Sequence, residues 1–251
     1  MATEHGRGPW NPSHLHAGPP SALLARAIER AVTGDSAFVA RLTVELFSPV
    51  PIGPLLEVAT STLRAGRTVR RLEATLAADG RVLARASALA TRIQAVDLPP
   101  VAPAPGDPPS PPESGTPFAF PVFHGRAVGY QTAVDARMVR GGFGENPTTV
   151  WIRSRVPLIR GEIPSPLQRV MIAADSGNGI AVVLDPARYT FVNADLTAYL
   201  HRAPVGEWVC LESVTIPEPT GVGVTRSRLW DKAGPLGWAL QSLVVESRRG
   251  A

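Results

Sequence analysis

The sequence has a single cysteine, Cys210, and a single lysine, Lys232, among its 251 residues. One cysteine excludes a disulfide framework and any metal site built from several thiolates. It also favours a reducing compartment, so we expect a cytoplasmic protein. The chain has no run of about 18 apolar residues and no apolar segment typical of a signal peptide near Met1, so it predicts no membrane span and no export signal.

Charge is sparse as well, at 18% of residues with a formal net charge of +4. The basic residues are scattered arginines rather than a cluster, so they indicate no nucleic-acid partner. The hydrophobic fraction of 44% is near that of ordinary globular proteins and predicts a folded chain.

Proline, in contrast, is abundant, with 26 residues, about twice its usual share of roughly 5%. Many of these prolines fall within residues 99–121, which predicts an exposed linker of polyproline II character. The chain thus divides into an N-terminal unit, 1–98, and a C-terminal unit, 122–251.

The two units resemble each other. The segment that starts at Phe38 aligns with the one that starts at Phe191, and the turn signal at Pro51–Gly53 aligns with the one at Pro204–Gly206. Stretches of period-two hydrophobicity lie between this turn and two later ones in each half. Three hairpins in succession predict a four-stranded antiparallel meander in each unit.

One apolar helix precedes each meander. ALLARAIERAV follows the helix-start signal Pro19-Pro20, and LQRVMIAADSGNG follows Ser165, with Gly177 placed to end it. Strand-like segments around 134–139 and 148–156 precede only the second helix, so the first sheet is expected to be less complete. A single apolar helix is best buried by a sheet that wraps around it, and two such units can join edge to edge into one sheet.

This order of elements resembles the double hotdog fold of the acyl-CoA thioesterase superfamily, in its type II branch. The resemblance is carried by GPWNPSHLHAGPPSALLARAIE, IAADSGNG, NADLTAYLHR and WALQSLVVE, in that order across both units. It implies an α+β protein, a double hotdog of two tandem repeats, each with a long antiparallel sheet around one central helix. It also implies an enzyme of lipid metabolism that hydrolyses fatty acyl-CoA and needs no cofactor.

The resemblance further implies a set of site residues. Transferred by position, Asp175, Asn193 and Gln241 hold the water that attacks the thioester, although the family more often has Thr or Ser where Asn193 stands. Gly18 is the implied backbone donor to the oxyanion, and Ala17 stands where the family commonly has a second glycine.

Without the family resemblance, Asp175 and Gln241 each have a structural explanation beside the functional one. Asp175 lies at a helix C-terminus, where the macrodipole disfavours a carboxylate. It could be a general base, or it could bind the backbone of residues 176–178 as an ordinary helix-end device. Gln241 interrupts an apolar strand and aligns with Ser87. It could hold water or Asp175, or it could face solvent.

Other chemistries have weaker signals. Ser176 lacks the upstream glycine of a nucleophile elbow, and Cys210 lies in an apolar strand that predicts a core position. His14 and His16 have no third ligand nearby for zinc, so we expect no metal site. The glycine-rich stretch 141–144 lacks a phosphate-binding lysine and is predicted to be a loop between two strands.

Two alternative functions share the fold. A non-catalytic acyl-CoA or acyl-lipid binding protein is favoured by Asn193 and Ala17. An enoyl-CoA hydratase ranks last, because the sequence shows no Asp and His pair at the spacing that this chemistry needs. Exposed edge strands and apolar surface also favour a homodimer or a higher homo-oligomer.

Overall fold

One antiparallel sheet of twelve strands dominates the computed structural model, which describes residues 1–32, 37–100, 106–122 and 128–248. The helices are α1 (Gly18–Ala31), α2 (Tyr130–Ala133), α3 (Pro166–Ala174) and α4 (Gly177–Ile180). The strands are β1 (Ala37–Leu46), β2 (Glu57–Ala65), β3 (Val69–Ala78), β4 (Arg81–Arg92), β5 (Thr116–Pro117), β6 (Val134–Arg140), β7 (Thr148–Ser154), β8 (Tyr189–Asn193), β9 (Asp195–Leu200), β10 (Val209–Pro217), β11 (Val222–Asp231) and β12 (Gly234–Ser247). None of the described helices is long and apolar enough to cross a membrane.

The sheet runs without interruption through both units. Its strand order is β2-β3-β4-β1-β9-β12-β11-β10-β7-β6-β5, and β8 also pairs with β12. The units meet where β1 pairs with β9, from Arg41 opposite Tyr199 to Glu45 opposite Asp195. The predicted edge-to-edge joining of two repeats is therefore confirmed.

The predicted meander is wrong in its first connection. β1 pairs with β4 rather than β2, and β9 pairs with β12 rather than β10. The segments 47–56 and 201–208 are longer than the 2–5 residues of usual hairpin loops, and they carry the chain across the end of the sheet. Only β2-β3-β4 and β10-β11-β12 are true meanders. This arrangement leaves one edge of β1 free to pair with β9.

Helices α1 and α3 pack against each other in opposite directions. Near the end of α1, the Glu29 carboxylate accepts hydrogen bonds from Ser165 Oγ and Gln168 Nε2 at the start of α3. Nearby, the Arg26 guanidinium donates to the Glu162 carboxylate. At the opposite end, Gly18 approaches the last turn of α3. The two central helices thus form one layer across the concave side of the sheet.

The second helix ends earlier than predicted. α3 stops at Ala174 with Asp175 as its C-cap, and the chain resumes as the short α4 at Gly177. Gly177 therefore begins a helix and does not terminate one. A Cβ at this position would lie 2.7 Å from both Gln241 Oε1 and Ser227 Oγ, so glycine lets the chain pass close over the sheet.

The second unit carries more strands than the first. β5, β6 and β7 precede α3 and have no counterpart before α1, which confirms the less complete first sheet. The described part of the proline-rich segment is mostly exposed, but Pro112 and Phe120 are buried and Ser110 O accepts a hydrogen bond from Trp151 Nε1. This end of the segment therefore packs onto the second unit instead of being exposed as expected.

Tyr130, in α2, joins the polypeptide before β6 to the centre of the molecule. Its ring is buried, and its hydroxyl lies 2.8 Å from both Ile172 O and Ser176 Oγ. The hydroxyl donates to the Ile172 carbonyl, since a carbonyl can only accept. Burial raises the pKa of Tyr130 above the usual range of a tyrosine, so the hydroxyl stays protonated at neutral pH.

The β9–β12 pairing within the second unit should depend on Gly237. It has a φ of +147°, and a Cβ would clash with the Tyr199 carbonyl oxygen on β9. We expect Gly237→Ala to lower the free energy of unfolding by about 3 kcal/mol in urea titrations, because such backbone conformations cost about 1–3 kcal/mol and the clash adds to that. Gly206→Ala is the control, because its φ is +76° with no atom within 4 Å. Equal losses in the two variants would contradict the close β9–β12 contact.

The raised pKa of Tyr130 predicts how the stability of the fold depends on pH. The folded state keeps a proton that the unfolded chain releases above about pH 10. The protonated Tyr130 hydroxyl therefore contributes fully to the free energy of unfolding below that pH, and this contribution is lost as the pH rises further. We expect Tyr130→Phe to lose about 1–2 kcal/mol of stability at pH 7 but to decline less steeply than the wild type above about pH 10. Parallel declines in urea titrations would refute the buried, protonated hydroxyl.

Candidate functional site

A buried carboxylate at the break between α3 and α4 forms the centre of the candidate site. Asp175 is only 3% exposed. Its Oδ1 accepts a hydrogen bond from Asn193 Nδ2 at 2.7 Å, and its Oδ2 lies 2.8 Å from His16 Nδ1. Because a buried carboxylate without partners is strongly destabilising, these two contacts explain how the charge can lie here.

Gln241 completes the predicted set from the inner face of β12. It is 2% exposed, which excludes a solvent-facing position. Its Nε2 donates to Asp175 O at 3.1 Å and lies 3.5 Å from Asp175 Oδ1, while its Oε1 accepts from the Asn178 N–H at 3.1 Å. The structure thus brings Asp175, Asn193 and Gln241 together.

His16 is the site residue that the sequence analysis missed. It was considered only as a metal ligand, and no Asp and His pair was recognised, yet the structure pairs it with Asp175. Its ring stacks on Tyr130 with centroids 3.8 Å apart and an angle of 3° between the planes. The available signal was its position just before α1, since antiparallel packing brings the start of α1 to the end of α3.

The contact with Asp175 fixes the proton on His16. A carboxylate oxygen only accepts hydrogen bonds, so the 2.8 Å distance assigns a proton to Nδ1. The Gly18 N–H lies 3.2 Å from the same nitrogen, which cannot accept while it carries that proton.

Gly18 makes the close backbone approach that was predicted for it, but toward the partner helix. A Cβ on Gly18 would lie 2.7 Å from Ile172 O and 3.1 Å from His16 Nδ1. Gly18 is buried and does not line the adjacent cavity, whereas Ala17 does. Its small size therefore allows the two helix ends to meet beside Asp175.

A cavity of about 400 Å³ opens beside these residues. Its apolar walls come from the N-terminal loop, the end of β1 with the segment after it, the end of the proline-rich segment, β8 and β12. They include Pro9, Trp10, Leu15, Leu46, Phe47, Pro49, Val50, Phe120, Val122, Phe191, Val192 and Val244. Asp175, Asn193 and His16 form a polar patch in this wall, and no lysine or arginine of the described ranges lines it. The cavity can therefore enclose an uncharged apolar group with its reacting end at Asp175.

Among the described residues of the first unit, the counterpart of Gln241 on β4 is not polar. Ser87 accepts a hydrogen bond from Arg41 on the outer face of the sheet, whereas Gln241 points inward. The sequence alignment of Ser87 with Gln241 is therefore one residue out, and buried Ala88 is the inward neighbour. The site around Asp175 is thus built from the second unit plus His16.

The remaining sequence predictions concern residues away from Asp175. Cys210 is buried, and burial raises the pKa of its thiol well above the usual range, which confirms a core position. Residues 141–144 connect β6 to β7, as predicted. His14 lines the cavity, and no cluster of three or more metal-ligating side chains occurs in the described ranges.

Solved structures share this fold along nearly the whole chain. A conserved protein of unknown function with a hot dog fold from Alicyclobacillus acidocaldarius is 16% identical, with a TM-score of 0.77 over 100% of this chain and 92% of that one. An acyl-CoA thioesterase II from Mycobacterium marinum is 16% identical, with a TM-score of 0.70 over 94% and 91%. The predicted α+β double hotdog is thereby confirmed.

Family comparison gives the assignment. No curated protein sequence matches the chain. The model of the acyl-CoA thioesterase N-terminal domain matches residues 6–92, and that of the acyl-CoA thioesterase C-terminal domain matches residues 99–245. Together these domains span most of the sequence, so the chain belongs to the acyl-CoA thioesterase family and is a thioesterase.

Proposed function

We propose that the protein hydrolyses fatty acyl-CoA with a water molecule held by Asp175, Asn193 and Gln241. The observation that carries this proposal is the buried Asp175 carboxylate, which borders an apolar cavity and is oriented by Asn193 and His16. An ionised carboxylate offers about four acceptor positions. The donors from Asn193 and His16, with Gln241 Nε2 at 3.5 Å, therefore leave one acceptor position on Asp175 for a water.

The reaction needs only groups of this chain and water. Asp175 takes a proton from the water as the water oxygen attacks the thioester carbonyl carbon. The tetrahedral intermediate then breaks its C–S bond, and the leaving thiolate takes the proton back from Asp175. Acid and free thiol are the products, and no cofactor enters the balance.

The developing oxyanion requires a hydrogen-bond donor. The Gly18 N–H is our proposed donor, because the first amides of a helix have no acceptor within it. A protonated His16 Nδ1 does not satisfy this amide either. The adjoining Ala17 lies in the cavity wall, so this amide is one residue away from the cavity.

Three broader predictions accompany the mechanism. The apolar walls that the described residues form, with no lysine or arginine among them, support an uncharged acyl group over a dicarboxylic one. The single cysteine supports a cytoplasmic location. Exposed apolar residues on the outer sheet face, such as Trp238 and Tyr199, support self-association.

Replacement of Asp175 tests the mechanism directly. Asp175→Asn keeps the size of the side chain and removes the base. We expect kcat to fall by about 10²–10⁴, the usual contribution of general base catalysis. The measurement is thiol release across a series of acyl-CoA chain lengths.

The matched control is Asp79→Asn, in the exposed turn between β3 and β4, where asparagine tolerates the positive φ of 50°. We expect this variant to retain wild-type turnover. Undiminished turnover in Asp175→Asn would refute the mechanism. Tight acyl-CoA binding in calorimetry, with no hydrolysis by the wild type, would instead select the non-catalytic binding protein.

The contact between His16 and Asp175 also supports a second candidate function, that of an enoyl-CoA hydratase. Its earlier low rank rested on the lack of an Asp and His pair, and the structure places one beside the cavity. Such a pair could take a proton from water and return one to the α-carbon of a 2-enoyl thioester.

Mass spectrometry of the products from a 2-enoyl-CoA separates the two activities. We expect free CoA and the enoic acid, because the chain belongs to a family of thioesterases. Formation of 3-hydroxyacyl-CoA that is lost in His16→Phe, a variant that keeps an aromatic ring on Tyr130, would favour the hydratase.

A further inference from the structure

Two arginines lie side by side where β8 begins and β12 ends. The Arg248 N–H donates to Arg188 O at 2.8 Å, and Arg248 Nε donates to Pro186 O at 2.9 Å. Both side chains belong to exposed residues. Backbone pairing therefore holds two guanidinium groups on neighbouring strands at the surface.

Each guanidinium lies over an aromatic ring. Arg188 Cζ is 5.6 Å from the centroid of Tyr189, and Arg248 Cζ is 5.8 Å from that of Trp10. These distances are within the range of cation–π contacts. The contacts restrict the side chains, so less entropy is lost when an anion binds them.

The positive charge of this pair is not neutralised by the described part of the chain. Among described residues, neither arginine has a carboxylate within 4 Å. The nearby Asp185 uses Oδ1 to accept the Ala187 N–H. Two adjacent like charges repel each other, so an anion between them would be stabilised.

The pair is connected to the cavity of the proposed site. Trp10 lines that cavity and packs edge-on against Phe191, with ring centroids 5.1 Å apart. On β12, Leu243 pairs with Asn193. Arg248 lies about 17 Å further along, since a strand rises about 3.4 Å per residue. This span is comparable to an extended pantetheine arm.

We propose that Arg188 and Arg248 bind the phosphate groups of the CoA nucleotide. Guanidinium groups bind phosphate oxygens through paired charge-assisted hydrogen bonds. The pantetheine arm then runs past Trp10 into the cavity, and the thioester reaches Asp175. This inference rests on the proposed function and adds the part of the substrate that the cavity does not hold.

The test compares two substrates in the double variant Arg188→Ala/Arg248→Ala. For acyl-CoA we expect KM to rise about 10-fold or more, with kcat little changed. For the N-acetylcysteamine thioester of the same acyl group, which has no phosphate, we expect both constants to stay at wild-type values. The control is Arg64→Ala/Arg67→Ala at the exposed β2–β3 hairpin, which should leave both substrates unaffected.

Calorimetry with 3′,5′-ADP gives a readout that does not depend on turnover. We expect the wild type to bind it and the Arg188→Ala/Arg248→Ala variant to bind at least 10-fold more weakly. This nucleotide also distinguishes CoA from a carrier protein, whose phosphopantetheine has no nucleotide. Unchanged KM and unchanged nucleotide binding would overturn the inference. A different outcome would refute only the proposed function. In that case 3′,5′-ADP binds and the binding depends on Arg188 and Arg248, but neither the acyl-CoA nor the N-acetylcysteamine thioester is hydrolysed.

Discussion

The close approach of the start of α1 to the end of α3 is the contact on which the site depends. Gly18 has no side chain, and this lets its backbone lie against the Ile172 carbonyl. The same carbonyl accepts a hydrogen bond from the Tyr130 hydroxyl, and the His16 ring stacks on the ring of Tyr130. A wider separation of the helices would remove His16 from Asp175. The packing of two apolar helices therefore sets the geometry of a polar site.

That geometry explains why both units are required. Asp175, Asn193 and Gln241 all belong to the second unit, and His16 comes from the first. Burial of a carboxylate is costly unless donors contact it, and in this chain one of the donors lies across the junction. The first unit has buried Ala88 at the inward position nearest to the counterpart of Gln241. To the site around Asp175, the first unit thus contributes the packing of α1 and one histidine.

Much of this arrangement could be predicted from the sequence. The repeat around Phe38 and Phe191 predicted two units in one sheet, and the family resemblance brought Asp175, Asn193 and Gln241 together. The position of β1 beside β4 was missed, because local turn signals such as Pro51–Gly53 indicate a reversal but not its partner strand. His16 was missed for a related reason. Its partner is 159 positions away, and only the packing of α1 on α3 reveals the contact.

We propose that one carboxylate, held by groups from both units, meets the thioester in the apolar cavity. The most direct test is a crystal structure with an acyl-CoA analogue in which a methylene group replaces the thioester sulfur. The account predicts the ketone carbon about 3–3.5 Å from a water bound to Asp175, with the acyl chain against Phe120 and Val50. An analogue whose carbonyl lies outside hydrogen-bonding reach of that water, or outside this cavity, would contradict it.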